Sequence, residues 1–278
     1  VEFDYRLNRL FNARSGRCLN VAVDHGLFGE PAFLAGIEDL PSTVAGLVDA
    51  RPDAIQLTPA QAPLLQRVVG REKPALVVRT DVANVYGHPR DSYLFSRHFP
   101  DAVEQAVRLD AACVVANLLQ LPDRPDLRER CIEAIMDLRV ACAKYAMPLM
   151  VEPLAMRDEP GGGGYDVDGD PDTIVALVRQ ARELGADVIK ADPTTPITEF
   201  HRVVQAGGGA PVLARGGGKI DDGELLRRTE SLLEQGAAGV VYGRNIIQHR
   251  SPGSIIAALM AMLHDGQPLS VALELARA

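Results

Sequence analysis

Short apolar runs of five or six residues return along this chain, with amphipathic stretches between them. They are CLNVAV (Cys18 to Val23), DAIQL (Asp53 to Leu57), ALVVR (Ala75 to Arg79), ACVVA (Ala112 to Ala116), PLMVE (Pro148 to Glu152), DVIKA (Asp187 to Ala191), PVLAR (Pro211 to Arg215) and GVVYG (Gly239 to Gly243). They are rich in Val, Ile and Leu without strict alternation, the pattern of strands covered on both faces of a parallel sheet. Between them, DTIVALVRQARELG (Asp172 to Gly185) and DDGELLRRTESLLEQG (Asp221 to Gly236) open on acidic residues and stop at glycine, as helices do. Eight strand and helix pairs in about 250 residues predict a (β/α)₈ TIM barrel. An open dinucleotide-binding sheet would need a G-x-G-x-x-G turn after an early strand, and none is present. The expected organisation is a single barrel domain over residues 1–278, with 1–17 as an N-terminal extension and 251–278 as C-terminal helices.

Composition narrows the class. At 278 residues, 47% hydrophobic and 24% charged, the chain supports a globular core. It has no membrane-length apolar run, and VEFDYRLNRLF lacks the basic and apolar regions of a signal peptide, so a soluble cytoplasmic protein is expected. Cys18, Cys113, Cys131 and Cys142 are scattered without a C-x-x-C pair and read as reduced packing thiols. A net charge of -8 without a long Lys/Arg cluster argues against nucleic-acid or membrane partners; an anionic substrate must be caught locally. The apolar segment SPGSIIAALMAMLHDG (Ser251 to Gly266) suggests a homo-oligomer interface.

A barrel of this kind carries its chemistry at the carboxyl ends of its strands. Those ends hold Asp24 and His25, Arg79 and Asp81, Asn117, Glu152, Lys190 and Asp192, a triple glycine (Gly216, Gly217, Gly218), and Gly243 with Arg244. Only four of 29 basic residues are lysines (Lys73, Lys144, Lys190, Lys219), so a lysine at a strand end needs an explanation. Enclosed by the barrel, Lys190 loses solvation and its pKa falls, leaving free amine to form a Schiff base with a carbonyl. The alternative is a structural ion pair with Asp24 or Glu152. Glu152 and Asp24 are the candidate proton-transfer groups, Glu152 with a pKa raised toward the working pH by its buried strand, while Asp24 also reads as a turn cap. PVLARGGGK and VVYGRN read as paired loops that hold a phosphate on glycine N–H groups and Arg244, the alternative being a flexible loop. The histidines His25, His88, His98, His201, His249 and His264 show no metal-ligand spacing, and no metal or cofactor is expected.

From RLNRLFNARSGRCLNVAVDHG to VVYGRNIIQH, and most specifically in VAVDHG, GADVIK, GGGK and YGRNI in that order, the chain resembles the class I, Schiff-base aldolases of the archaeal and bacterial fructose-bisphosphate type. That group includes tagatose-bisphosphate and related sugar-phosphate lyases. The resemblance implies a lyase acting on a sugar phosphate, with Lys190 as the imine lysine, Asp24 as a catalytic carboxylate, and Gly217, Gly218, Gly243 and Arg244 in the phosphate site. Archaeal members carry a tyrosine on strand five, where MVEPLAM here offers Glu152 and Leu154. The same segment is similar to the V-E-P stretch of animal-type enzymes, in which a strand-five glutamate moves the proton. Animal-type lysines on strands three and four are replaced by Arg79 and Asn117, which leaves monophosphate and non-fructose ketoses open as substrates. The glycine-rich loop from Gly161 to Pro171 reads as a lid or a mobile connection, and its aspartates match a calcium loop only in part. A transferase of the same superfamily, transaldolase-like or thiolase-like, and a silent sugar-phosphate-binding protein are the other readings.

Overall fold

The computed structural model of the protein describes residues 4–70, 72–85, 95–159 and 164–278. Its strands are β1 (Cys18–Ala22), β2 (Ala54–Leu57), β3 (Ala75–Arg79), β4 (Asp81–Asn84), β5 (Phe95–His98), β6 (Cys113–Gln120), β7 (Leu149–Asp158), β8 (Tyr165–Val167), β9 (Val188–Ala191), β10 (Val212–Arg215) and β11 (Gly239–Tyr242). Its helices are α1 (Asp4–Leu10), α2 (Leu40–Ala50), α3 (Ala62–Gln66), α4 (Ala102–Arg108), α5 (Pro125–Tyr145), α6 (Pro171–Glu183), α7 (Phe200–Ala206), α8 (Asp222–Glu234), α9 (Arg244–Ile247), α10 (Pro252–Asp265) and α11 (Leu269–Arg277).

The eight predicted strands are all present, as β1, β2, β3, β6, β7, β9, β10 and β11. Each pairs in parallel with the next, and β11 returns to β1 to close the barrel. The protein is therefore a (β/α)₈ barrel. The apolar runs did not foretell the antiparallel hairpin β4–β5 after the third barrel strand, nor β8, which pairs back on the outer end of β7. Two of the sequence-predicted helices are α6 and α8. The Asp170 side chain accepts from Thr173 N at 2.8 Å and the Asp221 side chain from Glu224 N at 3.0 Å, so each start is fixed by a capping carboxylate.

Two apolar layers follow from strand alternation. Side chains such as Leu19, Val21, Ile55 and Val114 face the helices. Their neighbours Cys18, Ala54, Val77, Val115, Met150, Leu213 and Val241 fill the barrel interior, where Leu10 of α1 joins them. Helix α1, within the N-terminal extension, thus plugs the barrel: Arg6 donates to the Ala111 carbonyl at 2.7 Å and Arg9 pairs with Asp110 at 2.9 Å. All four cysteines are buried and unbridged, and burial pushes the Cys142 thiol up to about 12.

The apolar segment 251–266, read from the sequence as a candidate interface, packs largely within the chain. Ile255, Ile256, Leu259, Met262 and Leu263 of α10 are buried within the chain, where α10 lies against α2, α8, α11 and β1. Its apolarity is explained by intrachain packing. No helix among the described residues is long and apolar enough to cross a membrane.

Leu10 is fully buried at the closed end of the barrel. Leu10→Ala should lower the unfolding free energy by about 2–5 kcal/mol, read as a lower urea midpoint with an unchanged slope. A shift too small to resolve would make α1 an appendage.

Candidate active site

Strand parity decides what points into the barrel mouth. Val188 lies inside, so Lys190, two residues on, does too; Met150 places Glu152, and Val77 places Arg79. Asp24 follows β1 by two residues and is 6% exposed; Glu152 and Lys190 are each 4% exposed. All of them line a cavity of about 50 Å³ that also takes in Asn117, Gly216, Gly217, Gly243 and Arg244.

Ion pairs knit the floor of this site together. Lys190 Nζ lies 2.9 Å from Glu152 Oε1. Arg79 donates from Nε to Asp24 Oδ2 at 2.8 Å, from one terminal nitrogen to Asp81 Oδ1 and Asn117 Oδ1 at 3.2 Å each, and from the other to Glu152 Oε2 at 2.5 Å. Gln56 Nε2 adds a bond to Asp24 Oδ2 at 2.7 Å, and Asp81 Oδ2 accepts the Asn117 N–H at 2.9 Å.

These contacts set the protonation states. Burial pushes the Glu152 carboxyl up, but Lys190, Arg79 and Arg215 outweigh it and hold the group down at about 2. This corrects the expectation of a raised Glu152: its strand is buried, yet two cations touch the carboxylate. Burial likewise acts to raise Asp24, and Arg79 and Lys190 bring it below the ordinary carboxylate value. For Lys190, burial lowers the pKa and Arg79 repels the ammonium, and together they overcome the pull of Glu152 and Asp24. Arg79 does not titrate, so Glu152 keeps a counterion when Lys190 loses its proton. Lys190 is the member of the pair that can become neutral.

The other side of the cavity is backbone. Asn245 donates from Nδ2 to the Gly218 carbonyl at 3.1 Å and accepts the Ile220 N–H at 2.9 Å, while Arg244 donates to the Gly217 carbonyl at 3.2 Å. The triple glycine is therefore a tethered loop. Gly217 has φ +66, a left-handed conformation that glycine adopts freely. Gly216 already donates its N–H to the Val241 carbonyl at 3.1 Å, so it contributes chiefly by lacking a side chain. Gly243 is required for close approach, because a Cβ there would run into the His25 ring.

His25, Phe28 and Phe33, from two short turns after β1, stack edge to face over this end, and the Arg244 guanidinium sits 4.7 Å from the Phe33 ring centre. Burial, with help from the Lys190 and Arg244 charges, lowers His25 to about 4, so its ring is neutral near pH 7.

Of the strand-end residues singled out from the sequence, Asp24, His25, Arg79, Asn117, Glu152, Lys190, Gly216, Gly217, Gly243 and Arg244 line one cavity, whereas Asp81, Asp192 and Gly218 are not part of its lining. Arg79 and Asn117 stand on its carboxylate side, with Arg79 committed to Asp24, Asp81 and Glu152 rather than to the glycine loops. Leu154 also lines the cavity. Sequence reasoning missed Gln56, Arg215 and Asn245. Asn245 adjoins Arg244 in the quoted VVYGRN, and Arg215 ends a predicted strand, so position alone pointed to both. His88 and residues 161–163 of the glycine-rich loop lie outside the described residues, but Tyr165–Val167 of that loop is tied to β7 as β8. Among the described residues, no group of three or more His, Cys, Asp or Glu side chains gathers to hold a metal ion.

Comparison with known proteins places this arrangement. The chain is 32% identical to an uncharacterized aldolase of Saccharolobus solfataricus, covering 98% of both chains. It is 30% identical to 2-amino-3,7-dideoxy-D-threo-hept-6-ulosonate synthase of Halobacterium salinarum, over 94% of this chain and 91% of that one. It is also 30% identical to 3-hydroxy-5-phosphonooxypentane-2,4-dione thiolase of Photorhabdus laumondii, over 97% and 85%. Among solved structures, an archaeal fructose-1,6-bisphosphate aldolase with its catalytic lysine bound covalently to the carbinolamine intermediate superposes with a TM-score of 0.76 at 26% identity, covering 94% of this chain and 99% of that one. Residues 18–249 match the DeoC/LacD family aldolase model, a span from the first barrel strand to just past the arginine of the last, and the chain belongs to that family.

Proposed function

We propose that the protein is a class I aldolase that condenses Lys190 with a phosphorylated ketose and cleaves or forms the adjacent carbon-carbon bond. The observation that carries this is the buried Lys190 amine, 2.9 Å from Glu152, in the same cavity as Gly217, Gly243 and Arg244. The Lys190 amine left neutral by loss of its proton to solvent attacks the ketone, and Glu152 takes a proton from the nitrogen as the new bond forms. Glu152 passes that proton to the carbonyl oxygen, and the carbinolamine, with a further proton from solvent, loses water to the iminium. The iminium then accepts the electron pair of the breaking bond, while Asp24 takes the proton from the hydroxyl of the departing aldehyde. The substrate phosphate rests on the Gly217 and Gly218 backbone, the start of α9 and Arg244, anchoring the ketone beside the amine.

Transfer to a second acceptor uses the same imine, and the synthase and thiolase names of two relatives favour testing it. Products formed with and without an added aldehyde or thiol acceptor separate the two reactions.

Borohydride with dihydroxyacetone phosphate should add a stable mass to the Lys190 peptide, and Lys190→Ala should abolish it. An adduct that persists in the variant removes Lys190 from the chemistry.

Glu152→Gln should still trap ketone but turn over roughly a hundredfold more slowly or worse. Equal turnover would exclude Glu152.

Imine formation should rise with pH and level off below the ordinary lysine value of about 10.4, because only the neutral amine attacks. Glu152→Gln removes a charge that raises the Lys190 pKa, so its plateau should begin at lower pH than in wild type. An unmoved or higher plateau would contradict this coupling.

A further inference from the structure

Gln56, two residues after the inward-facing Ala54 of β2, points into the barrel and is fully buried. Its backbone carbonyl accepts the Val23 N–H at 3.0 Å, which ties down the end of β1 just before Asp24. Among the described residues its side chain makes one hydrogen bond, from Nε2 to Asp24 Oδ2 at 2.7 Å, and Oε1 has no partner. An orphaned buried carbonyl destabilises a fold, and a methionine of similar length would avoid it. Packing therefore accounts poorly for this amide, whose one bond ends on a carboxylate of the active site.

Asp24 is bound on one side. Arg79 Nε reaches the same Oδ2 at 2.8 Å, so both side-chain bonds to Asp24 among the described residues fall on one oxygen, one from β2 and one from β3. A carboxylate turns readily about its last side-chain torsion, and a single donor permits that swing. Two donors converging from different strands hold Oδ2 in place and leave Oδ1 to the cavity that Asp24 lines.

We propose that Gln56 positions Asp24 for the carbon-carbon step: together with Arg79 it pins Oδ2, so that Oδ1 takes the proton of the substrate hydroxyl. As that O–H bond breaks, its electron pair becomes the aldehyde π bond, and the pair of the breaking carbon-carbon bond moves to the iminium to give an enamine. Gln56 is a positioning residue; it is not part of the cavity lining and touches no reacting atom. The inference rests on the lyase reading above, in which Asp24 is the base and imine formation is served by Glu152.

The test compares two readouts in Gln56→Met: borohydride trapping of dihydroxyacetone phosphate, and kcat and KM for the best substrate among the 1-phosphates and 1,6-bisphosphates of fructose and tagatose. Trapping and KM should keep their wild-type values, while kcat falls roughly ten- to hundredfold, the loss that follows when a reacting group is misplaced. The urea midpoint should hold or rise, because the orphaned carbonyl is gone. Gln56→Asn, whose amide is one methylene short, should fall in between. With Asp24 already changed to Asn, Gln56→Met should cost little further, as for residues that act as a unit. An unchanged kcat overturns the proposal, and so does a full loss that persists in the Asp24→Asn background, which would place the action of Gln56 elsewhere. Loss of trapping with a lower urea midpoint in both Gln56 variants makes the residue a structural tie and overturns it too. Wild type that cleaves none of the four sugar phosphates refutes the lyase reading itself, a result read without any variant.

Discussion

The site depends on one buried guanidinium. Arg79 binds Asp24 from β1's end, Asp81 beyond its own strand, Asn117 on β6 and Glu152 on β7. Three carboxylates cannot be sealed inside a barrel without a counterion, and stranding a buried charge by removing its partner costs about 3–5 kcal/mol. The same five-donor fork that neutralises them fixes their directions, so charge compensation and geometry have a single cause. A lysine at this position would supply charge but not the planar fork.

The consequence for Lys190 is a matter of who holds the proton. In an isolated buried pair, amine and carboxylate stabilise each other's charges, and neither is free to change. Arg79 breaks that symmetry by holding Glu152 as a carboxylate whatever Lys190 does. Glu152 held at about 2 is a carboxylate in the resting site, so a neutral Lys190 amine arises by loss of its proton to solvent and not to Glu152.

The segment after β1 ties the two ends of the cavity together. It carries Asp24 to the carboxylate cluster and, one residue on, lays His25 against Gly243, with Phe28 and Phe33 behind. Phe33 covers Arg244 by a cation-π contact, which leaves the arginine its charge while shielding one face from water. A ligand entering the cavity therefore meets an aromatic wall and a tethered glycine loop that belong to opposite sides of the β1–β11 seam.

Local chemistry determined much of this protein. Apolar runs placed all eight barrel strands, capping aspartates and stop glycines placed α6 and α8, and the rarity of lysine singled out Lys190. Those features depend on neighbours within a few residues, so they are written in one dimension. The tertiary structure alone decided the pairing of side chains that lie far apart in the chain. It turned Glu152 from an expected weak acid into a strong one, because the sign of a pKa shift depends on which cations reach the carboxylate rather than on how buried its strand is. It also drew the apolar face of α10 inward, made a plug of α1, and set Asp192 against Arg215. Each of these is a contact between distant segments, created only when the barrel closes.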